Sequence, residues 1–152
     1  MTGHLRSAGF TLIEMMVTAV IATILLCIAI PSYKSQMLKS RRTEARIALL
    51  DLAGREERLY STTNTYSQMP ADLGYGGAQF PVVVGNGYYT LNVTAQPAGA
   101  TSGTSPATFA ITATPTGTQV DDAQCATLTV YNTGKLAAAD SGGADTSQVC
   151  WN

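Results

Sequence analysis

The chain has 152 residues and a formal net charge of -1, with 12% charged and 45% hydrophobic residues. That length suits one domain of ordinary size, and the recurrence of apolar residues along it excludes wholesale disorder. His4 is the sole histidine and precedes the first apolar run, so Ser-His-Asp catalysis, Cys-His nucleophiles and mixed Cys/His zinc sites lack their imidazole. No nucleophile motif and no glycine-rich phosphate loop before a helix occurs either; an enzyme is not expected, nor a cofactor or a metal.

Residues 1–9 form a short polar leader carrying His4 and Arg6. From Phe10 to Ile30 the chain is apolar except for Thr11, Glu14, Thr18 and Thr23. As a helix rising about 1.5 Å per residue, this run reaches about 31 Å, a match for a bilayer core of roughly 30 Å. A secretory signal has a shorter apolar region followed by a small-residue cleavage site, whereas here the small residue, Gly9, comes first. A cut after Gly9 leaves the whole apolar segment on the mature chain. Lipoprotein processing at Cys27 does not fit, because Leu25 and Leu26 stand where small residues are wanted. A carboxylate such as Glu14 costs roughly 2.5–3.5 kcal/mol in hydrocarbon on insertion scales. It therefore needs a partner, and the liberated amine of a neighbouring subunit would serve. The plain alternative is that Glu14 lies near the lipid headgroups and is solvated.

The string Gly9-Phe10-Thr11-Leu12-Ile13-Glu14 resembles the processing and assembly signature of type IV pilins and related pseudopilins. The similarity continues through Ile28-Ala29-Ile30-Pro31-Ser32-Tyr33 and Arg42-Thr43-Glu44-Ala45-Arg46 to the closing Cys150-Trp151, and looks most like PilE-type minor pilins. The resemblance implies a cut after Gly9 by a prepilin peptidase/N-methyltransferase and methylation of the new N-terminus, Phe10. It also implies that Glu14 neutralises the Phe10 amine of an adjacent subunit. The partners that follow are other pilin subunits, the inner-membrane pilus assembly machinery and, before assembly, the membrane itself. The expected location is the bacterial inner membrane as a single span, then an extracellular fibre with the soluble domain outside the cytoplasm. Lys34, Lys39, Arg41, Arg42 and Arg46 make positive charge denser after the span than before it, and a positive-inside count would put the C-terminal part in the cytoplasm. The strand-rich domain and its cysteine pair favour export instead.

Pro31 lacks an N–H and clashes with the preceding turn, which predicts a kink or local unwinding; the alternative is that the membrane helix ends there and a new one begins near Ser32. The organisation expected is a leader over 1–9, an assembly helix over 10–31, an amphipathic helix over 32–60 and a sheet-containing region over 61–152. In the second helix Ala45, Ala48 or Leu49, Leu52 and Leu59 recur at three- and four-residue steps. Glu44, Arg46, Asp51, Arg55, Glu56, Glu57 and Arg58 lie between and beside them. Lys39, Arg41, Arg42 and Arg46 form the one basic cluster, read either as a solvated juxtamembrane face pairing with neighbouring acids or as a phosphate or headgroup contact.

Ser61 to Gly87 reads as a long connection with a few packed residues such as Tyr66, Leu73 and Tyr75. Period-two alternation then predicts strands around Tyr89–Ala95, Phe109–Thr114 and Thr127–Tyr131, suited to an antiparallel sheet buried on one side. Turns are expected at Asn132-Thr133-Gly134 and Gly142-Gly143. One helix on a small sheet is an α+β arrangement. Cys125 and Cys150 read as one disulfide in an exported domain, the alternative being two free thiols. Asp121-Asp122 is the tightest acidic pair; a solvated turn suits it better than calcium, which needs six to eight oxygen ligands.

A structural pilus subunit is therefore the leading expectation, with adhesion, twitching motility or DNA uptake as the roles the resemblance attaches to such fibres. Direct DNA capture is a second possibility, weakened by charge: from Gly54 onward Arg55, Arg58 and Lys135 face Glu56, Glu57, Asp72, Asp121, Asp122, Asp140 and Asp145, and nucleic-acid binding relies on a concentrated basic surface. A type II secretion pseudopilin is the third.

Overall fold

The computed structural model describes residues 10–98 and 107–152. Its first element, α1 (Leu12–Thr63), is a single helix along which the chain divides into two units, Met1–Met37 and Leu38–Asn152.

In the first unit, Thr11 starts the helix. Its hydroxyl accepts the Glu14 N–H at 3.3 Å and its carbonyl the Met15 N–H at 3.2 Å, which satisfies donors that no earlier turn can reach. Thr18 and Thr23 turn their hydroxyls back onto the carbonyls of Met15 and Ala19, at 3.0 and 2.8 Å. Every polar side chain that bonds within the helix is one fewer to be solvated in lipid. The helix passes through Pro31 without a break, so neither local unwinding nor a fresh start near Ser32 occurs. A proline deletes one hydrogen bond of the ladder, and the intact turns on either side carry the helix across.

In the second unit the inner seam of α1 is Arg42, Ala45, Leu49, Leu52 and Glu56, all buried. Steps of three and four residues keep them on one face. The helix ends at Thr63 rather than Tyr60, where Asn64 takes a φ of 57° and returns its N–H to the Tyr60 carbonyl at 2.8 Å. Asparagine is among the few residues that adopt this left-handed capping conformation readily.

The seam packs on a five-stranded antiparallel meander in the order β1 (Val82–Val84), β2 (Tyr89–Gln96), β3 (Thr108–Pro115), β4 (Thr127–Tyr131) and β5 (Leu136–Ala139). The register sets Val93 opposite Ile111, Ala95 opposite Phe109, and Ile111 opposite Val130. These side chains share the buried face with Tyr89, Leu91, Ala113 and Leu128 and close one core with Ala45, Leu49 and Leu52. The outer face is rich in threonine; Thr112 and Thr129 lie 3.2 Å apart across β3 and β4. Fully burying a leucine such as Leu49 or Leu52 is worth about 1.5–3 kcal/mol.

The expected long connection between the second helix and the sheet is shorter than it reads. It contains the tail of α1, a 3-10 turn at Pro70–Leu73 and β1. Three valines offer too few residues for alternation to register, and Pro81 before them reads as loop. β5 was likewise outside the expected strands, because its alanines carry little strand preference.

The chain closes with α2 (Ser147–Trp151) and the Cys125–Cys150 disulfide, Cα atoms 5.8 Å apart and 25 residues apart in sequence. This tail covers the outer edge of β5. Trp151 Nε1 donates to the Ala137 carbonyl at 2.9 Å, the Ala138 N–H donates to Ser147 Oγ at 2.9 Å, and the Thr146 N–H donates to the Ala138 carbonyl at 2.9 Å. Replacing both cysteines by serine is expected to cost about 3.5 kcal/mol, the chain-entropy value for a loop of this size, read as a lower urea midpoint for residues 38–152.

Candidate functional site

The first unit presents a surface with no partner among the described residues. Phe10 is 75% exposed, and Leu12, Ile13, Val17, Ile24 and Ile28 are exposed with it. The apolar window of α1 has a mean hydropathy of 2.5 and none of it is buried. Glu14 lies one turn into this surface, on the exposed side of the chain. An apolar rod that covers nothing in its own molecule must be covered by lipid or by other rods. Gly9 lies outside the described residues.

In the second unit the basic cluster pairs with an acid, as one reading expects, but inside the fold rather than on a solvated face. Arg42 is buried and grips Asp122 in a bidentate pair, Nε to Oδ2 and Nη2 to Oδ1, both at 2.5 Å. Gln119, itself fully buried, completes the group by donating from Nε2 to Asp122 Oδ2 at 3.1 Å, to the Tyr89 hydroxyl at 3.0 Å and to the Leu38 carbonyl at 3.3 Å. Burial pushes the Tyr89 hydroxyl up to about 12, against the bond from Gln119, so it stays neutral and available as a hydrogen-bonding group. Arg41 donates to Thr118 Oγ1 at 3.0 Å and lies 3.6 Å over the Tyr88 ring. Arg46 donates to the carbonyls of Cys150 and Asn152, with its guanidinium 6.0 Å from the Trp151 ring. Burial and then the neighbouring Arg42 lower its affinity for the proton. Of the cluster, only Lys39 is exposed to solvent.

Three arginines on two neighbouring turns, Arg41 and Arg42 side by side and Arg46 one turn on, therefore clamp two segments, the turn after β3 and the C-terminal tail, onto α1. The solvated part of that expectation does not hold for them, although Arg42 does pair with an acid, and the solvated turn expected at Asp121-Asp122 holds only for Asp121, which is exposed. Asp122 is buried because Arg42 supplies the opposite charge and both bonds. The signal was present in the sequence: residues 42 and 56 continue the three- and four-residue steps of the seam, at its two ends. Charge hid them. Among the described residues no group of three or more His, Cys, Asp or Glu side chains could hold a metal ion.

A helix whose first half is bare and apolar, whose second half covers a small antiparallel sheet, and whose tail is fixed by a disulfide defines a pilin-like class of protein. A family model described as "Type IV minor pilin ComP, DNA uptake sequence receptor" matches residues 31–129, and one described as "Prokaryotic N-terminal methylation motif" matches residues 5–30. The chain belongs to this type IV minor pilin family. The "Type IV major pilin protein PilA" of Myxococcus xanthus (strain DK1622) is 34% identical over 70 residues, which is 46% of this chain and 32% of that protein. The chain thus spans about a third of the length of this curated relative. The solved structure of a type IV pilin from Shewanella oneidensis is 25% identical and covers 65% of this chain and 89% of that one, with a TM-score of 0.42.

Removing one member of the buried pair strands a charge, which costs about 3–5 kcal/mol, whereas an exposed pair contributes about 1 kcal/mol or less. Asp122→Ala is accordingly expected to destabilise residues 38–152 by about 3–5 kcal/mol in urea unfolding. Asp51→Ala, which breaks the exposed pair with Arg55 (2.8 Å), should cost about 1 kcal/mol or less. The double variant Arg42→Met/Asp122→Leu should recover most of the first loss.

Proposed function

We propose that the chain is a minor structural subunit built into a type IV pilus through the apolar half of α1. The bare apolar surface from Phe10 to Ile30, interrupted by the single carboxylate of Glu14, carries this reading. A prepilin peptidase/N-methyltransferase cuts after Gly9 and methylates Phe10. The subunit waits in the inner membrane as a single span until the pilus assembly machinery draws it into the fibre, where the second unit lies on the outside. There Glu14 meets the Phe10 amine of a neighbour. Two opposite charges in a medium of low dielectric attract strongly, and either one alone bears desolvation without return. Pro31, which lacks the N–H that would reach back one turn, is where α1 bends as it packs among other helices. The chain itself carries out no chemistry.

Service in DNA uptake is favoured by the description of the family whose model the chain matches. Direct capture of DNA by this subunit has less support. Arg41, Arg42, Arg46 and Arg55 are engaged within the fold, which leaves Lys39, Arg58 and Lys135 as the exposed cations of the second unit among the described residues. A mobility shift at low salt with the full chain in detergent decides between the two.

Protein from sheared surface fibres is expected to begin at N-methylated Phe10. Glu14→Ala should lower its abundance in those fibres by at least about tenfold while its amount in the membrane stays unchanged, the scale set by an unpaired charge in hydrocarbon. Normal incorporation of the variant would rule out the pairing.

A further inference from the structure

We propose that the segment Thr65–Leu73 is a pH-operated latch on α1, closed while the Glu56 carboxyl is protonated and loosened when it ionises. Glu56 is fully buried at the end of the inner seam. Its Oε2 accepts the Ser67 N–H at 3.1 Å, and its Oε1 has no hydrogen-bond partner among the described residues. A protonated carboxyl has modest polar demands at such a place. An ionised one leaves half its charge without a donor, and a buried unpaired charge is far more expensive than a buried neutral group.

The surroundings do not supply the missing cation. Glu57 on α1 and Asp72 on the 3-10 turn both add negative charge, and the Tyr66 hydroxyl in the segment is bonded to Glu57 Oε1 at 3.2 Å. Arg55 is bonded to Asp51 and, at 3.0 Å, to the Leu73 carbonyl, while Arg58 is exposed. On the sheet side β2 and β3 carry one titratable residue, Tyr89, which is bonded to Gln119. Burial accordingly pushes the Glu56 carboxyl up to about 7, with Glu57 and Asp72 adding to the rise and the Ser67 N–H opposing it.

The segment is built to move as a piece. Ser67 Oγ donates to Asp72 Oδ2 at 2.6 Å and accepts the Met69 N–H at 3.0 Å, so its own bonds survive release. Left-handed residues stand at both ends, Asn64 with φ 57° and Gly74 with φ 73°. Beyond Glu56 and the Thr63–Thr65 bonds at its start, three bonds tie it down: Gln68 Nε2 to the Ala95 carbonyl at 2.6 Å, the Arg55 bond to Leu73 and the Tyr66 hydroxyl bond to Glu57, with Pro70 and Leu73 buried beneath it.

For an acid whose closed-state value is raised, the closed state is favoured fully below the ordinary value near 4.5 and loses that advantage as pH rises through about 7. Hydrogen exchange of the full chain in detergent micelles, corrected for intrinsic rates, tests this. Opening of peptides covering 64–75 should rise about tenfold per pH unit from about pH 5 to about pH 7 and then level off, with β3 and β4 unchanged. Glu56→Gln should flatten the profile, and Asp72→Asn should keep the rise but move its plateau to lower pH. A flat wild-type profile, an equal rise in Glu56→Gln, or a parallel rise in β3 and β4 overturns the latch. If Glu56→Gln does not fold, an unmoved plateau in Asp72→Asn overturns it instead.

Discussion

The bidentate contact between Arg42 and Asp122 decides how the rest of the second unit is arranged. Without it the turn between β3 and β4 would be held on α1 only by the bonds from Arg41 to Thr118 and from Gln119 to Leu38, and Gln119 would lose the carboxylate that orients it. A buried ion pair gains little net stability over a well-packed apolar pair, because both charges must leave water. Its value here is selectivity of position: only one placement of the turn satisfies both oxygens of Asp122. Arg41, beside it, and Arg46, one turn further on, extend the same device to Thr118 and to the C-terminal carbonyls. The helix is thus both the wall of the core and the frame on which the β3–β4 turn and the tail hang.

That frame continues into a stretch with the opposite requirement. Between Phe10 and Ile30 no side chain is buried in its own chain, so the same helix is finished as a fold at one end and unfinished at the other. The second unit has a core of its own, closed between the seam of α1 and the sheet. The disulfide serves this independence by restraining a tail that a small sheet would hold weakly. In a subunit of this family, stability and assembly are assigned to different stretches of one helix.

Much of this was legible in the chain. The membrane-length span, the carboxylate within it, the three longer strands and the cysteine pair follow from hydropathy, period-two alternation and spacing. The seam residues Ala45, Leu49 and Leu52 follow from three- and four-residue steps. What was misread shares one cause: the residue type outweighed its position. Arg42 and Glu56 occupy seam positions but carry charges, so the sequence groups Arg42 with a basic cluster and Glu56 with the charges between and beside the apolar steps, and it suits Asp122 to a solvated turn with its exposed neighbour. Their burial depends on partners 80 and 11 residues away, which no local pattern contains. β1 and β5 escaped because a strand of three valines and a strand of alanines lack alternation, and pairing alone defines them. The unbroken helix at Pro31 reflects the resilience of a long ladder to the loss of one rung.

A sheet with a raw edge is a template for recruiting strands from other molecules. Here the tail occupies the backbone of β5 with Trp151, Ser147 and Thr146, while the opposite edge is only Val82–Val84, with Pro81 directly before it. Copies brought side by side can then touch without zipping strand to strand into amyloid-like stacks. The surface left open to other copies is the bare apolar face of α1.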